Sequence, residues 1–457
     1  MREKVDYMHI ILRGGLLAMV CALLSVVWVN DPMLPAGELS GQWLYLAKVA
    51  MGAAVGWVVL AFLYYRKGYD MGADFYQVVI WSFIVLAASE AIYGLRQLYG
   101  FTSSHHSLYS LTGSFFNPGP YSGYLAMIFP LCLDQWLRLR KRENKNWMEW
   151  TGYYGAVAVL FLILCVLPAG MSRSAWVAAL ISGIWVYGVH KSWPVRLKRV
   201  WMRKKTKVLA VTSVLCIVVL VGGVCLFNLK KDSASGRLFM WKISSRAIAE
   251  KPFTGYGQGN FALAYGTSQE AYFAEGSYSP QEELVAGSPE YAFNEYLQIA
   301  FEWGIPVLLC CLVFAGFCLR KGVELKRWGP CGSVISLLVF AFSSYPMQIP
   351  GFAVTFYFLL AACVIGRSKI MLLFFISIII LLGAYYWKNN QYDAHWNGQE
   401  DNSPISSSDG WSYQINCLNF DSDKNLWMKN ITKGIIVLKK DGNWINLDYP
   451  DMQNKQY

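Results

Sequence analysis

The sequence predicts an all-α polytopic membrane protein of about eleven transmembrane helices, with a large extracytoplasmic loop and a small β-rich C-terminal tail. Three observations predict it. Of 457 residues, 55% are hydrophobic and only 15% charged. A soluble domain carries about 25% charged residues, so this chain has too few to clothe the surfaces of the two or three soluble domains its length would make. Apolar runs near the ~20 residues that cross a hydrocarbon core recur along the chain. Basic residues cluster in every second connecting segment, whereas residues 30–40 and 99–119 contain no Lys or Arg. That alternation is the positive-inside pattern of an inner-membrane protein.

In order, the expected spans are 9–29, 42–64, 76–98, 120–137, 150–168, 174–190, 208–227, 293–318, 332–345, 351–365 and 369–387. The first follows Arg2 and Lys4 without a small-residue cleavage site, which predicts a retained anchor. A cytoplasmic N-terminus puts every basic cluster inside and the tail in the periplasm. The expected organisation is a transmembrane domain over 1–387, with 228–292 as its large outer loop, and an extracytoplasmic tail over 388–457. Alternating apolar and polar residues with Asp-Gly and Lys-Asn turns predict three or four antiparallel strands in the tail, resembling a single propeller blade.

The net charge of +11 is distributed between spans rather than along one stripe, which argues against a nucleic-acid partner. Ten of the eleven cysteines lie in or beside apolar runs, and Cys417 alone sits in a polar segment. No Cys/His ligand spacing occurs, so neither a metal nor a cofactor is expected. Arg13, Lys48, Glu90, Arg96 and Asp134 fall within spans. Charges at that depth are costly, about 2.5–3.5 kcal/mol on insertion scales. Arg13, Arg96 and Asp134 are near span ends and within reach of the interface, while Lys48 and Glu90 are expected to pair with one another.

Candidate site residues gather outside. Arg173 is the only basic residue of its short outer loop. Arg237 opens a stretch in which Leu238, Trp241, Ile243 and Ile248 alternate with Lys242 and Arg246, the pattern of a helix lying on the membrane surface. A guanidinium there suits an anionic headgroup, because it grips phosphate oxygens bidentately. The run "GYGQGNF" at 255–261 lacks the ending of a P-loop and predicts a tight turn instead. Asn117-Pro118 and Gly119-Pro120 mark a helix entry. Glu290, Asn294, Glu295 and Gln298 stand near an outer helix mouth, Asn294 and Gln298 four apart on one face.

Five motifs follow in order: G-S-F-F-N-P-x-x-Y-S-G-Y-L-A from Gly113, S-R-S-A-W from Ser172, S-G-R-L-x-x-W from Ser235, P-F-x-G-Y-G-x-G-N-F from Pro252 and N-E-Y-L-Q-x-x-x-E-x-G from Asn294. Over residues of about 100 to 365 this order resembles the O-antigen ligase family, which includes O-antigen polymerases and protein O-oligosaccharyltransferases. The resemblance implies a GT-C-like membrane glycosyltransferase that needs neither nucleotide sugar nor metal. It would move a glycan from an undecaprenyl-pyrophosphate carrier to lipid A-core, a glycan or a protein hydroxyl, at the outer face of the inner membrane among its lipids. Carried across, Arg173 and Arg237 match the arginines that hold the pyrophosphate. The family His before the Asn is Phe293 here, which cannot accept a proton. Glu295 is the preferred substitute base, because a desolvated carboxylate has a raised pKa. Glu290 and the His105-His106 pair are the other candidates. Substrate binding falls to Arg173, Arg237, Arg246, Asn117, Asn294 and Gln298. A polymerase, a non-catalytic relative and a polysaccharide transporter are the competing functions.

Overall fold

A computed structural model describes residues 6–29, 39–206, 209, 213 and 231–365, and the strand residues 415–420, 426–430, 434–438 and 444–447. The expected spans 208–227 and 369–387 therefore lie outside the described residues, apart from the isolated 209 and 213. The helices are α1 (Tyr7–Leu24), α2 (Ser40–Lys67), α3 (Met71–Leu98), α4 (Pro118–Arg140), α5 (Trp147–Val166), α6 (Arg173–His190), α7 (Trp193–Arg203), α8 (Lys231–Glu250), α9 (Phe261–Ala274), α10 (Pro280–Val285), α11 (Glu295–Trp303), α12 (Ile305–Glu324), α13 (Trp328–Ala341) and α14 (Pro350–Val364). Five are long and apolar enough to cross a membrane: α1 with the turn that follows it, α2, α3, α5 and α12. Helices α13 and α14 are apolar but shorter, at 14 and 15 residues. The protein is a helical membrane protein.

The expected span 293–318 is two helices. Gly304, at φ 84°, separates α11 from α12. The expected span 332–345 stops at Ala341, and residues 342–349 turn into α14.

Helix α4 lies at the centre, packed against α3, α5, α6 and α13. It contains Pro, Gly, Ser and Tyr among its buried residues, because it meets protein rather than lipid. A Cβ on Gly123 would come within 2.2 Å of the Phe340 ring, and one on Gly332 within 2.8 Å of Pro130. Small residues thus let α4 and α13 approach closely. Pro130 sits inside α4 and has no N–H for the Ala126 carbonyl four residues earlier. The Ser336 hydroxyl of α13 donates to that carbonyl at 2.8 Å, with both groups buried. The helix interface thereby satisfies what the proline leaves open.

The charges within helices are held by protein. Glu90 does not pair with Lys48, which is exposed. Its carboxylate accepts from the Trp28 indole at 2.7 Å, the Ser114 N–H at 3.1 Å and the Ser114 hydroxyl at 2.8 Å. Neutral donors meet a buried acceptor there at less desolvation cost than a second ion would. Asp134 is fully buried rather than reaching the interface. It accepts from Arg138 at 2.8 Å and His190 at 2.7 Å. Arg13 stands 3.9 Å from Asp74.

In the tail, strands β1 (Ile415–Phe420), β2 (Leu426–Asn430), β3 (Gly434–Leu438) and β4 (Trp444–Leu447) pair antiparallel in sequence order. Trp427 faces Val437 across β2 and β3, and Ile436 faces Asn446 across β3 and β4.

The Pro130–Ser336 arrangement predicts a compensating pair. Ser336→Ala leaves a buried carbonyl unmet and should cost about 1–3 kcal/mol, read as a lower Tm. Adding Pro130→Ala restores the N–H and should recover most of that loss. A double variant no more stable than Ser336→Ala would refute the account.

Candidate functional site

The segment 231–303 folds on itself before it meets the membrane helices. Phe239, Ile243, Ala247 and Ile248 of α8 are buried with Phe261, Tyr265, Tyr272, Ala300 and Phe301. The apolar stripe of α8 is therefore covered by α9 and α11 rather than laid on a bilayer. Amphipathic spacing shows that a face needs cover, not what covers it. Leu238 is exposed, and the Trp241 indole donates to the Ala292 carbonyl at 3.0 Å.

Two glycine motifs lock this segment to the helix break. The Tyr256 and Gly257 N–H groups donate to Phe301 and Glu302 carbonyls, each at 2.9 Å. Those carbonyls belong to the last turn of α11 and have no partner within the helix. In return, the Ile305 N–H, an orphan of the first turn of α12, donates to the Pro252 carbonyl at 2.8 Å. A Cβ on Gly255 would lie 2.5 Å from the Glu302 backbone, and one on Gly304 2.3 Å from the Phe253 carbonyl. Both glycines also have positive φ, at 65° and 84°. The Glu302 carboxylate accepts from Gly259 N–H at 3.1 Å and the Gln298 amide at 2.9 Å. The glycine loop thus spends its N–H groups on α11.

The lock sets Arg237, on α8, against the start of α11 and the turn after α13. Its guanidinium donates to the Ser343 carbonyl at 3.0 Å and stands 5.3 Å from the centre of the Phe293 ring. Burial first, and then the charge of Arg173, push Arg237 down from the usual guanidinium range. Arg173 is the first residue of α6, so the structure brings the two sequence-predicted arginines together. Arg237 forms no ion pair among the described residues. Both arginines are half-buried, and their charges act on one another.

Phe293 occupies left-handed backbone at φ 48°. Its ring meets Tyr345 edge-on at 4.9 Å, and Tyr345 stacks on Tyr291 at 4.9 Å. Burial pushes the Tyr345 hydroxyl up; the Tyr291 and Glu290 charges add to this and Arg237 opposes it. The exposed Glu290 carboxylate therefore acts electrostatically on the same tyrosine as Arg237.

The other predicted residues have structural partners. Asn294 is buried and caps α11, accepting from Tyr296 N–H at 3.0 Å and Leu297 N–H at 3.2 Å. It is the cap, not a helical residue sharing a face with Gln298. Gln298 is buried and accepts from Ala292 N–H at 2.7 Å. Asn117 caps α4 by accepting from Gly119 N–H at 3.1 Å. Arg246 pairs with Glu275 through both terminal guanidinium nitrogens; nine residues along α8, it is about 13 Å from Arg237. His105 lies 3.4 Å from the Tyr93 hydroxyl, and His106 accepts from Leu108 N–H at 3.0 Å. Glu295 is buried, and each of its oxygens accepts one hydrogen bond at 3.0 Å, from Met347 N–H and from the Gln348 amide. Burial pushes its carboxyl up to about 7 against those two bonds.

Residues 156–312 match the family model described as O-antigen ligase. The matched stretch is about a third of the chain's length. It contains Arg173, Arg237, Phe293 and both glycine motifs, and it marks the protein as a multi-pass membrane enzyme of the glycosyltransferase type. No curated protein matches the chain.

Sequence reasoning missed the turn at 342–349, whose Ser343 meets Arg237 and whose Met347 and Gln348 meet Glu295. Pro346 and Pro350 mark a break within the apolar run and were the available signal.

The raised Glu295 pKa gives a pH signature. Between its ordinary value of 4.5 and about 7 the unfolded chain has released this proton while the folded chain holds it. Stability therefore falls as pH rises through that window. Glu295→Gln should remove this component, so the stability difference between variant and wild type should drift by about 1–3 kcal/mol across it. A pH-independent difference would sink the assignment.

Proposed function

We propose that the protein is a lipid-carrier-dependent glycosyltransferase that transfers a glycan from undecaprenyl pyrophosphate to an acceptor hydroxyl on lipid A-core, a glycan or a protein. The observation that carries this reading is the convergence of Arg173 and Arg237, in which a half-buried guanidinium is held beside a like charge. That arrangement suits a pyrophosphate leaving group, whose charge grows as the bond to the anomeric carbon breaks. Stabilising it in a low-dielectric cleft lowers the barrier without any metal-dependent step being invoked here. The site would face the outer side of the inner membrane, with the N-terminus in the cytoplasm and the tail outside.

The acceptor hydroxyl attacks the anomeric carbon in one displacement and loses its proton. Phe293 cannot take it. Glu295 has a suitable pKa, but both its oxygens already hold the 347–348 turn. Glu290 is exposed, and its charge acts on Tyr345. The proton therefore passes to Glu290, while Glu295 positions the turn that carries Ser343 and Tyr345. An O-antigen polymerase would use the same groups, with a growing glycan as acceptor.

The test is release of polyprenyl pyrophosphate from a lipid-linked oligosaccharide by purified protein in vesicles, with each acceptor class supplied. Arg237→Ala should lower the rate about 10²–10³-fold, and Arg237→Lys should be far from neutral because it lacks the bidentate fork. Full activity of Arg237→Ala removes the central claim. Glu290→Gln should cost about 10²-fold, and Glu295→Gln less, because it disturbs only the turn. The reverse order would return the base to Glu295.

A further inference from the structure

Helix α7 has no part in the site. It directly follows α6, separated from it by Lys191 and Ser192. At 11 residues it is too short to span a bilayer. Arg196, Arg199 and Arg203 recur at intervals of three and four and share one face. Trp193, Val200 and Trp201, spaced seven and eight apart, share another. All six are exposed, the apolar three at 39%, 45% and 43%. The three arginines form no ion pair among the described residues. Lys191, Lys204 and Lys205 extend the exposed positive charge at both ends. α7 packs on α6, where Trp193 meets Tyr187 edge-on at 5.8 Å.

A partly exposed apolar face flanked by a row of cations matches the boundary between headgroups and acyl chains in a bilayer containing anionic phospholipid. An acidic protein would satisfy the arginines but leave two tryptophans and a valine in water. We infer that α7 is an interfacial helix that lays Trp193, Val200 and Trp201 into the bilayer surface and grips anionic phospholipid headgroups with Arg196, Arg199 and Arg203.

The position matters because α6 is one continuous helix from Arg173 to His190. Its 18 residues span about 27 Å. Anchoring the end that leads into α7 fixes how far Arg173, at the opposite end, stands from the bilayer midplane. The inference concerns lipid binding and holds whatever reaction the site performs.

Hydrogen exchange of the full-length protein tests it, in nanodiscs of phosphatidylcholine alone or mixed with phosphatidylglycerol. Each basic residue near an anionic surface contributes about five-fold to binding. Exchange within 193–203 should therefore slow by at least about ten-fold in the mixed bilayer. Arg196→Gln, Arg199→Gln and Arg203→Gln together should abolish that gain, with exchange in α4 unchanged as the control for folding. Equal exchange in the two bilayers overturns the inference, and so does a triple variant that keeps the gain. Protection that arises only on adding a soluble acidic polypeptide also overturns it, in favour of a protein partner.

Discussion

The break between α11 and α12 is closed by backbone groups from a distant loop, and the site is built on that closure. A helix interrupted at Gly304 strands carbonyls on one side and N–H groups on the other. In a membrane protein such groups cost several kcal/mol each if left open to hydrocarbon. Tyr256, Gly257 and Pro252 meet them from a loop that only glycine can thread this closely. Because that loop continues α8, satisfying the break also fixes Arg237 relative to Phe293, Glu295 and the turn after α13. The geometry around Arg237 follows from a backbone hydrogen-bond requirement.

Phe293 stands where the resemblance to the ligase family led one to expect a histidine. Its ring presents a face to the Arg237 guanidinium, an interaction worth about 0.5–2 kcal/mol. It also buttresses Tyr345. Its left-handed backbone is a conformation that costs of order 1–3 kcal/mol and persists only where surroundings impose it. The surroundings here are specific: Ala292 N–H is held by Gln298, and the Asn294 cap follows immediately. The position is thus fixed by its neighbours, and the side chain packs against a cation.

The helical membrane body was legible in the sequence because apolar length and charge alternation follow directly from the bilayer. Arg173 was legible because a lone arginine in an expected outer loop breaks that alternation, and Arg237 because it opens an amphipathic stretch. The partners of buried polar groups were not. Glu90 reads as an expensive charge whether it meets Lys48 or the Trp28 indole, and only tertiary packing chooses between them. The stripe of α8 likewise reads the same against lipid or against Phe261 and Phe301. The two halves of the run from 293 to 318 are both apolar, so a single glycine was too weak a signal to divide them.

Buried charge in this protein sorts into two kinds, and the distinction separates scaffold from chemistry. Glu90, Asp134, Glu295 and Glu302 each accept hydrogen bonds from groups that need a partner: a loop N–H, a histidine, a turn, a glycine backbone. Each carboxylate is matched, and each fastens one element to another. Arg237 is the contrary case. Beside its carbonyl and its aromatic face it has another cation. A fold gains nothing by bringing like charges together out of water, and the repulsion grows as the dielectric falls. The proposed donor would relieve that repulsion, because a pyrophosphate brings several anionic oxygens into a small volume.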